Sequence, residues 1–254
     1  METFFMNLKV TKVEHYTDKL FKIRTERPRT FRFRAGEFVM IGIDNWSEKL
    51  QKNKPIMRAY SLTSGPYDEF LEFYSIKVPD GPLTSKLQHI KVGDELIVGE
   101  KPTGTLTISN VALGGNLWLM GTGTGIAPFM SILRDPETYE HYDNIYVTWT
   151  TGTHEDQESF SHIIETFDCN FIPTYTREEP LNYEGVTHKY KGRITNLIKD
   201  GVVFNKATPE NDKVMLCGSM AFNLEMKEYL EARGWKEGSV KEEGTFVLEK
   251  AFVG

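Results

Sequence analysis

Up to about residue 107 the chain alternates short apolar or β-branched runs with turn residues, the runs falling at 8–13, 20–25, 31–33, 38–43 and 70–78. Turn chemistry at Arg34-Ala-Gly36, Ser64-Gly-Pro66, Pro79-Asp-Gly-Pro82 and Val92-Gly-Asp94 closes them. That pattern predicts an antiparallel barrel or sandwich, with one short helix over 83–89 starting near Thr84. Lys101-Pro-Thr-Gly104 and Leu113-Gly-Gly115 then mark a boundary. Beyond it, apolar strands at 117–120, 145–149, 171–176 and 214–217 alternate with helical segments around 129–133, 159–167 and 222–232. Alternation of that kind builds a parallel sheet with helices on both faces and a ligand crevice beyond the carboxyl ends of its strands. Two domains follow, an antiparallel β-barrel over 1–110 and a Rossmann-like α/β parallel-sheet domain over 111–254.

Composition adds boundaries to this picture. With 39% hydrophobic and 26% charged residues and no biased tract, the chain is of the soluble globular class. Its longest apolar stretch is broken by three glycines and Pro128, well short of the roughly 20 residues that span a bilayer. The first ten residues carry neither the charged region nor the cleavage site of a secretory signal, so cytoplasm is expected. Cys169 and Cys217 are too few for a disulfide framework or an iron-sulfur cluster, so any redox chemistry needs a borrowed cofactor. The six histidines show no ligand spacing, and no metal site is expected. A net charge of −6 argues against nucleic-acid binding. It is unevenly spread: residues 1–110 hold 17 Lys+Arg against 14 Asp+Glu, and 111–254 hold 13 against 22, or +3 and −9. The basic first half suits an acidic partner or is simply a solvated surface.

The stretch from Leu117 to Leu133 reads as strand, glycine loop and helix in succession. Gly121, Gly123 and Gly125, with Thr122 and Thr124 between them, let backbone N–H groups approach a dinucleotide pyrophosphate, or else make an ordinary tight turn. Two later strand ends face the same crevice. Arg177 after one either clasps a phosphate or pairs with Glu178 or Glu179, and Arg193 poses the same choice. Cys217-Gly218-Ser219 ends the other, with Cys217 near reacting atoms or as a plain buried thiol.

The first half carries a more specific arrangement. Arg58-Ala59-Tyr60-Ser61 sets a cation, an aromatic ring and a hydroxyl on an alternating strand able to hold a flavin nucleotide. There Arg58 would neutralise pyrophosphate, Tyr60 would pack on the isoalloxazine and Ser61 would hydrogen-bond the ring. A neighbouring strand brings Tyr74, Ser75, Lys77 and Val78, and Gly81-Pro-Leu83-Thr84 adds a turn and helix start for the same phosphates.

Taken together, Arg58-Ala-Tyr-Ser61, Gly81-Pro-Leu-Thr84, Gly121-Thr-Gly-Thr-Gly125, Cys217-Gly-Ser219 and the tail Glu249-Lys-Ala-Phe-Val-Gly254 resemble the ferredoxin-NADP reductase superfamily, above all its bacterial flavodoxin/ferredoxin-NADP reductases. The resemblance covers essentially the whole chain. It implies a six-stranded antiparallel β-barrel that binds FAD, followed by an α/β domain that binds NADP(H). It also implies electron transfer between NADPH and ferredoxin or flavodoxin, an acidic carrier docking near the flavin of a monomer. By the same resemblance Thr124 reaches FAD from the nucleotide domain, and Gly121 to Gly125 and Cys217 flank the nicotinamide. Arg177 and Arg193 hold the 2′-phosphate, Ala251 lies against the isoalloxazine, Phe252 packs near the FAD adenine, and Glu249 stands at the flavin edge. Ser61, Cys217, Glu249 and Ala251 shape the reaction geometry. Many relatives carry an Arg-Thr pair where this chain has Gly152-Thr153, one nucleotide contact short. A reductase component of an oxygenase shares both domains and is the alternative, although it usually passes electrons through an iron-sulfur domain for which the cysteines are lacking here.

Overall fold

The computed structural model describes residues 4–47, 51–179 and 190–250. Six strands form the first sheet: β1 (Phe5–His15), β2 (Leu20–Glu26), β3 (Phe38–Ile43), β6 (Ile56–Ser61), β7 (Phe70–Ile76) and β8 (Glu95–Gly99). A minimal pair, β4 (Trp46–Ser47) and β5 (Lys52–Asn53), lies between β3 and β6. All neighbours in the sheet are antiparallel, in the order β6-β3-β8-β1-β2-β7. The sheet curls until its two edges meet, where Leu62 bridges Phe73 and the Tyr60 hydroxyl lies 2.8 Å from Ser75 Oγ. Inward-facing Val10, Phe21, Ile23, Val39, Ile41, Leu71 and Phe73 fill the barrel because period-2 alternation sends every second side chain inside.

One expected strand is absent. Residues 31–33 make no ladder, although Phe31 and Phe33 are buried and Arg32 and Arg34 exposed, as alternation foretold. Phe31 N instead donates to Pro28 O, closing a turn, while Arg27 Nε and Nη2 both donate to Phe31 O. The expected helix over 83–89 shortens to α1 (Thr84–Leu87).

The second sheet is wholly parallel, in the order β12-β11-β10-β9-β13-β14. Its strands are β9 (Asn116–Thr122), β10 (Asn144–Thr151), β11 (Asn170–Tyr175), β12 (Tyr190–Lys191), β13 (Asp212–Gly218) and β14 (Phe246–Lys250). Helices α2 (Ala127–Leu133), α3 (Pro136–His141), α4 (Ser161–Ile164), α5 (Ile194–Lys199) and α6 (Met220–Glu231) accompany them. Every residue of β13 is buried, as a central strand covered on both faces must be. Leu117, Leu119, Met215 and Cys217 face a layer with α2 and α4, whereas Trp118, Met120, Val214 and Leu216 face α5 and α6. The former layer also takes in Leu20 and Tyr74 from the first sheet and Ala35 from the turn before β3, so one core runs through the seam between the domains.

Polar groups lock that seam. Tyr74 Oη lies 2.9 Å from Ser159 Oγ, and its ring meets Phe160 edge-on at 4.7 Å. Arg134, just past α2, donates to Thr63 O at 2.7 Å and reaches Glu72 Oε1 at 3.4 Å. Among the described residues, no helix is long and apolar enough to cross a membrane.

Candidate functional site

Parallel register puts four strand ends in one row. Trp149 on β10 pairs with Gly121 on β9, Gly121 with Cys217 on β13, and Cys217 with Glu249 on β14. From Gly121 the chain passes through Thr122 into a single 3-10 turn, Gly123–Ile126, before α2. The glycines there do different work. Gly123 has φ +53° and open space around it, with its carbonyl fixed by Trp149 Nε1 at 2.8 Å. A Cβ on Gly125 would instead overlap the Cys217 carbonyl, whose carbon would stand 2.6 Å away. Close packing of the loop on β13 therefore requires Gly125, and Gly123 is the glycine left facing the crevice. A Cβ on Gly218 would stand 2.7 Å from Phe222 Cδ1, and Ser219 then caps α6, its Oγ accepting from Phe222 N at 3.2 Å.

Cys217 and Glu249 lie deep in this row. The Cys217 thiol is pushed well up by burial and by the neighbouring carboxylate, so it is a protonated thiol at neutral pH. Burial pushes the Glu249 carboxyl up to about 7, against a smaller opposing effect of the Thr105 backbone. Its Oε1 is buried with no hydrogen-bond partner. A buried carboxyl oxygen left without a hydrogen-bond partner is unusual in a folded chain and makes Glu249 a candidate site residue.

Two crevices open at the carboxyl ends of β10 and β11, sharing Thr150 and Thr176. One, of about 280 Å³, runs between the domains: Leu20, Tyr74 and Ile76 form one wall, and Gly123, Thr124, Gly152, Asp156 and Arg177 stand opposite. The other, of about 210 Å³, lies over α5 and α6 among Thr122, Arg193, Thr195, Ser219 and Glu225. Arg177 and Arg193 thus enter from different sides. Arg177 Nη2 meets Asp156 Oδ2 at 3.4 Å rather than Glu178 or Glu179, the partners weighed from sequence. Glu178 is taken by His154 N at 2.8 Å, and Glu179 by Lys191.

On the first domain, β6 is an edge strand, so half of its backbone N–H and C=O groups have no strand partner. Arg58 is half-buried, with Nη1 donating to Met57 O at 2.8 Å, and Ala59, Tyr60 and Ser61 continue along the same edge. Tyr60 and Ser75 join across the slot, with burial holding the phenol up. Tyr74, on the opposite face of β7, spends its hydroxyl on Ser159 and lines the interdomain crevice instead. Thr84 is likewise committed: its Oγ1 accepts from Val78 N and donates to Val78 O, both at 3.2 Å, and so closes the Gly81 turn behind Lys77 and Val78 while Leu83 is fully buried. Ala251 and Phe252 lie outside the described residues.

Sequence reasoning passed over several groups that shape these crevices. Trp149, Thr150, Asp156 and Thr176 were not singled out, nor the seam residues Lys22, Glu72 and Arg134. A lysine within LFKIRT and a glutamate within FLEFYSI were the available signals, since a charge in the middle of an apolar strand must find a partner.

No protein-family model matches the chain. It is 46% identical over 264 residues to a flavodoxin/ferredoxin–NADP reductase of Rhodobacter capsulatus, covering 96% of this chain and 92% of that one. Identity is 39% over 264 residues to a ferredoxin–NADP reductase of Pseudomonas aeruginosa, with 96% of both chains covered. Among solved structures, a ferredoxin NADP+ reductase of Neisseria gonorrhoeae with bound FAD and NADP superposes with a TM-score of 0.87 at 27% identity, over 99% of this chain and 100% of that one. With a relative of that identity along nearly its whole length, the chain belongs to the ferredoxin–NADP reductase family.

Proposed function

We propose that the protein is an FAD-dependent oxidoreductase that passes electrons between NADP(H) and ferredoxin or flavodoxin. The observation that carries this reading is how the first sheet approaches the row: a Cβ on Gly104 would stand 3.1 Å from Glu249 Oε2 and 3.4 Å from Phe38 Cδ1, and Phe38 pairs in register with Ser61 on the β6 edge. The residues fit a flavin. An edge strand with free backbone groups, an arginine beside it and an orphaned buried carboxyl oxygen are what a polar, planar, pyrophosphate-bearing ligand would complete.

Bound FAD supplies the conversion between hydride transfer from NADPH and single-electron transfer to the carrier. The protein aligns and shields. In this reading Arg58 neutralises the FAD pyrophosphate, with backbone groups of the Gly81 to Thr84 turn beside it. Tyr60 packs on the isoalloxazine in an orientation fixed by Ser75, and Ser61 hydrogen-bonds the ring. Cys217 fills the floor beneath the nicotinamide as an uncharged thiol, and Glu249 holds a proton at Oε1 near neutral pH. Thr122, Gly123 and Thr124 pass the nicotinamide nucleotide from the row to the crevices, where Arg177 and Arg193 read its 2′-phosphate and Gly218 and Ser219 border it. Ala251 covers the isoalloxazine and Phe252 the FAD adenine. We assign FAD to residues 1–110 and NADP(H) to 111–254, with an acidic carrier docking near the flavin of a cytoplasmic monomer.

The test is the visible spectrum of the purified protein under anaerobic titration. A flavin band bleached by NADPH at far lower concentration than by NADH is expected. A colourless protein would remove the role of Arg58 to Ser61, and equal bleaching by NADH would move the function toward an NADH-linked reductase.

A further inference from the structure

Gly152 follows the last residue of β10, and its glycine is not demanded by the backbone, because its φ lies outside the left-handed region. What the glycine leaves is space, and the far end of the flexible Arg177 side chain fills it. A Cβ on Gly152 would stand no farther than 2.5 Å from Arg177 Nη2, Nε and Cζ, so the guanidinium occupies the position a side chain would take. Main-chain pairing sets this up: Thr176 N donates to Thr151 O and Arg177 N to Gly152 O, each at 3.0 Å, carrying the β10/β11 ladder past the strand ends. Asp156 Oδ2 then meets Arg177 Nη2 at 3.4 Å and accepts from Thr153 N at 3.2 Å, which ties the far end of the guanidinium to the same loop. The Arg177 side chain is still 63% exposed, so it faces the crevice with donors to spare.

We propose that Gly152 is a specificity-determining residue of the nucleotide crevice: its empty Cβ position seats the Arg177 guanidinium where the 2′-phosphate of NADP(H) is read. One arginine arriving from β11 thereby stands in for any side chain at residue 152. Asp156 keeps that arginine folded over the loop in the free protein. The inference rests on the reading of Arg177 given above, and the two can fail separately.

The test compares Gly152→Ala, Arg177→Ala and the double variant with the parent, all FAD-loaded, for calorimetric binding of 2′,5′-ADP and 5′-AMP. Each single variant is expected to cut the preference for 2′,5′-ADP about tenfold, the scale of one lost charge-assisted hydrogen bond. The double variant should lose no more than either single one, because both remove the same guanidinium from the same place. Gly152→Ser carries the same Cβ and must agree with Gly152→Ala, which guards against a folding artefact. If Arg177→Ala lowers the preference and neither Gly152 variant does, the seat is wrong while the role of Arg177 survives. A double variant losing the product of the two single effects would also overturn the seat. If Arg177→Ala leaves the preference between the two nucleotides unaltered, the reading of Arg177 itself falls.

Discussion

Cys217 and Glu249 are register partners on neighbouring parallel strands, and both are buried. The raised carboxyl pKa of about 7 gives this pair a pH signature. Between its ordinary value of 4.5 and about 7 the folded chain keeps a proton that the unfolded chain has released. Folding stability from this group is therefore full below 4.5, declines as pH rises to about 7, and is flat above. At 1.36 kcal/mol per unit, the change amounts to about 3 kcal/mol. Glu249→Gln, neutral at every pH, should lack that decline. Urea unfolding of both proteins at about pH 5 and about pH 8 measures it, and identical pH dependence in the two would refute the buried protonated carboxyl.

Gly123 and Gly125 are two residues apart and face opposite demands. Gly125→Ala forces a methyl into the Cys217 carbonyl and should cost about 3 kcal/mol by overpacking. Gly123→Ala meets nothing within 4 Å but must hold φ +53°, which costs about 1 kcal/mol. Thermal unfolding of the two variants should rank them in that order; the reverse order would contradict the assignment of Gly125 to packing and Gly123 to the open crevice.

The difference between these glycines illustrates what a sequence hides. Strand, loop and helix around Leu117 to Leu133 were legible because an apolar run, three glycines and a second apolar run each have a local cause. Which glycine packs and which faces the crevice depends on Cys217, nearly a hundred positions later in the chain. The Phe31 to Arg34 alternation was legible as burial but misleading as a strand, because the turn closed by Pro28 and Arg27 takes the hydrogen bonds a ladder would need. Arg177 was seen as a phosphate ligand or an ion pair with its sequence neighbours, and its tie to Asp156 across two strand ends needed the parallel register. β14 escaped separate notice because a five-residue strand at the sheet edge has no periodicity long enough to announce it.

Arg58 and Tyr60 should separate flavin binding from folding. Arg58 is half-buried at an edge, and Arg58→Ala should weaken FAD retention at least tenfold while moving the unfolding midpoint of the apoprotein little. Tyr60→Phe loses the buried hydrogen bond to Ser75 and should cost about 1 kcal/mol of apoprotein stability. Fluorescence titration with FAD and denaturant unfolding read the two effects, and an Arg58→Ala protein that retains flavin like its parent would remove Arg58 from the pyrophosphate.

The seam between the domains carries the opposite pH dependence. Glu72 is almost fully buried, yet its carboxyl sits below the usual range, because Lys22, Arg134 and Arg24 together outweigh the desolvation that would raise it. Arg24 Nη2 donates at 2.8 Å and Thr63 Oγ1 at 3.0 Å, while Arg134 brings its charge from the second domain. Lys22, also buried, is held between the Tyr16 and Phe160 rings at 4.8 Å from each centroid. Stability from a carboxyl of lowered pKa is present above its unfolded value of 4.5 and is lost as pH falls through the folded one. Acid should therefore attack this seam first. Arg134→Ala removes a cation that reaches Glu72 from the end of α2, leaves Thr63 O without its donor, and should cost about 3 kcal/mol at neutral pH. The same variant should unfold at a higher pH than the parent in an acid titration followed by tryptophan fluorescence, because Glu72 then holds its proton more readily. An acid midpoint unmoved by Arg134→Ala would mean that the Glu72 charge is carried by Lys22 and Arg24 alone, and that the two domains are joined by the apolar layer around Leu20, Tyr74 and Phe160 rather than by this ion pair.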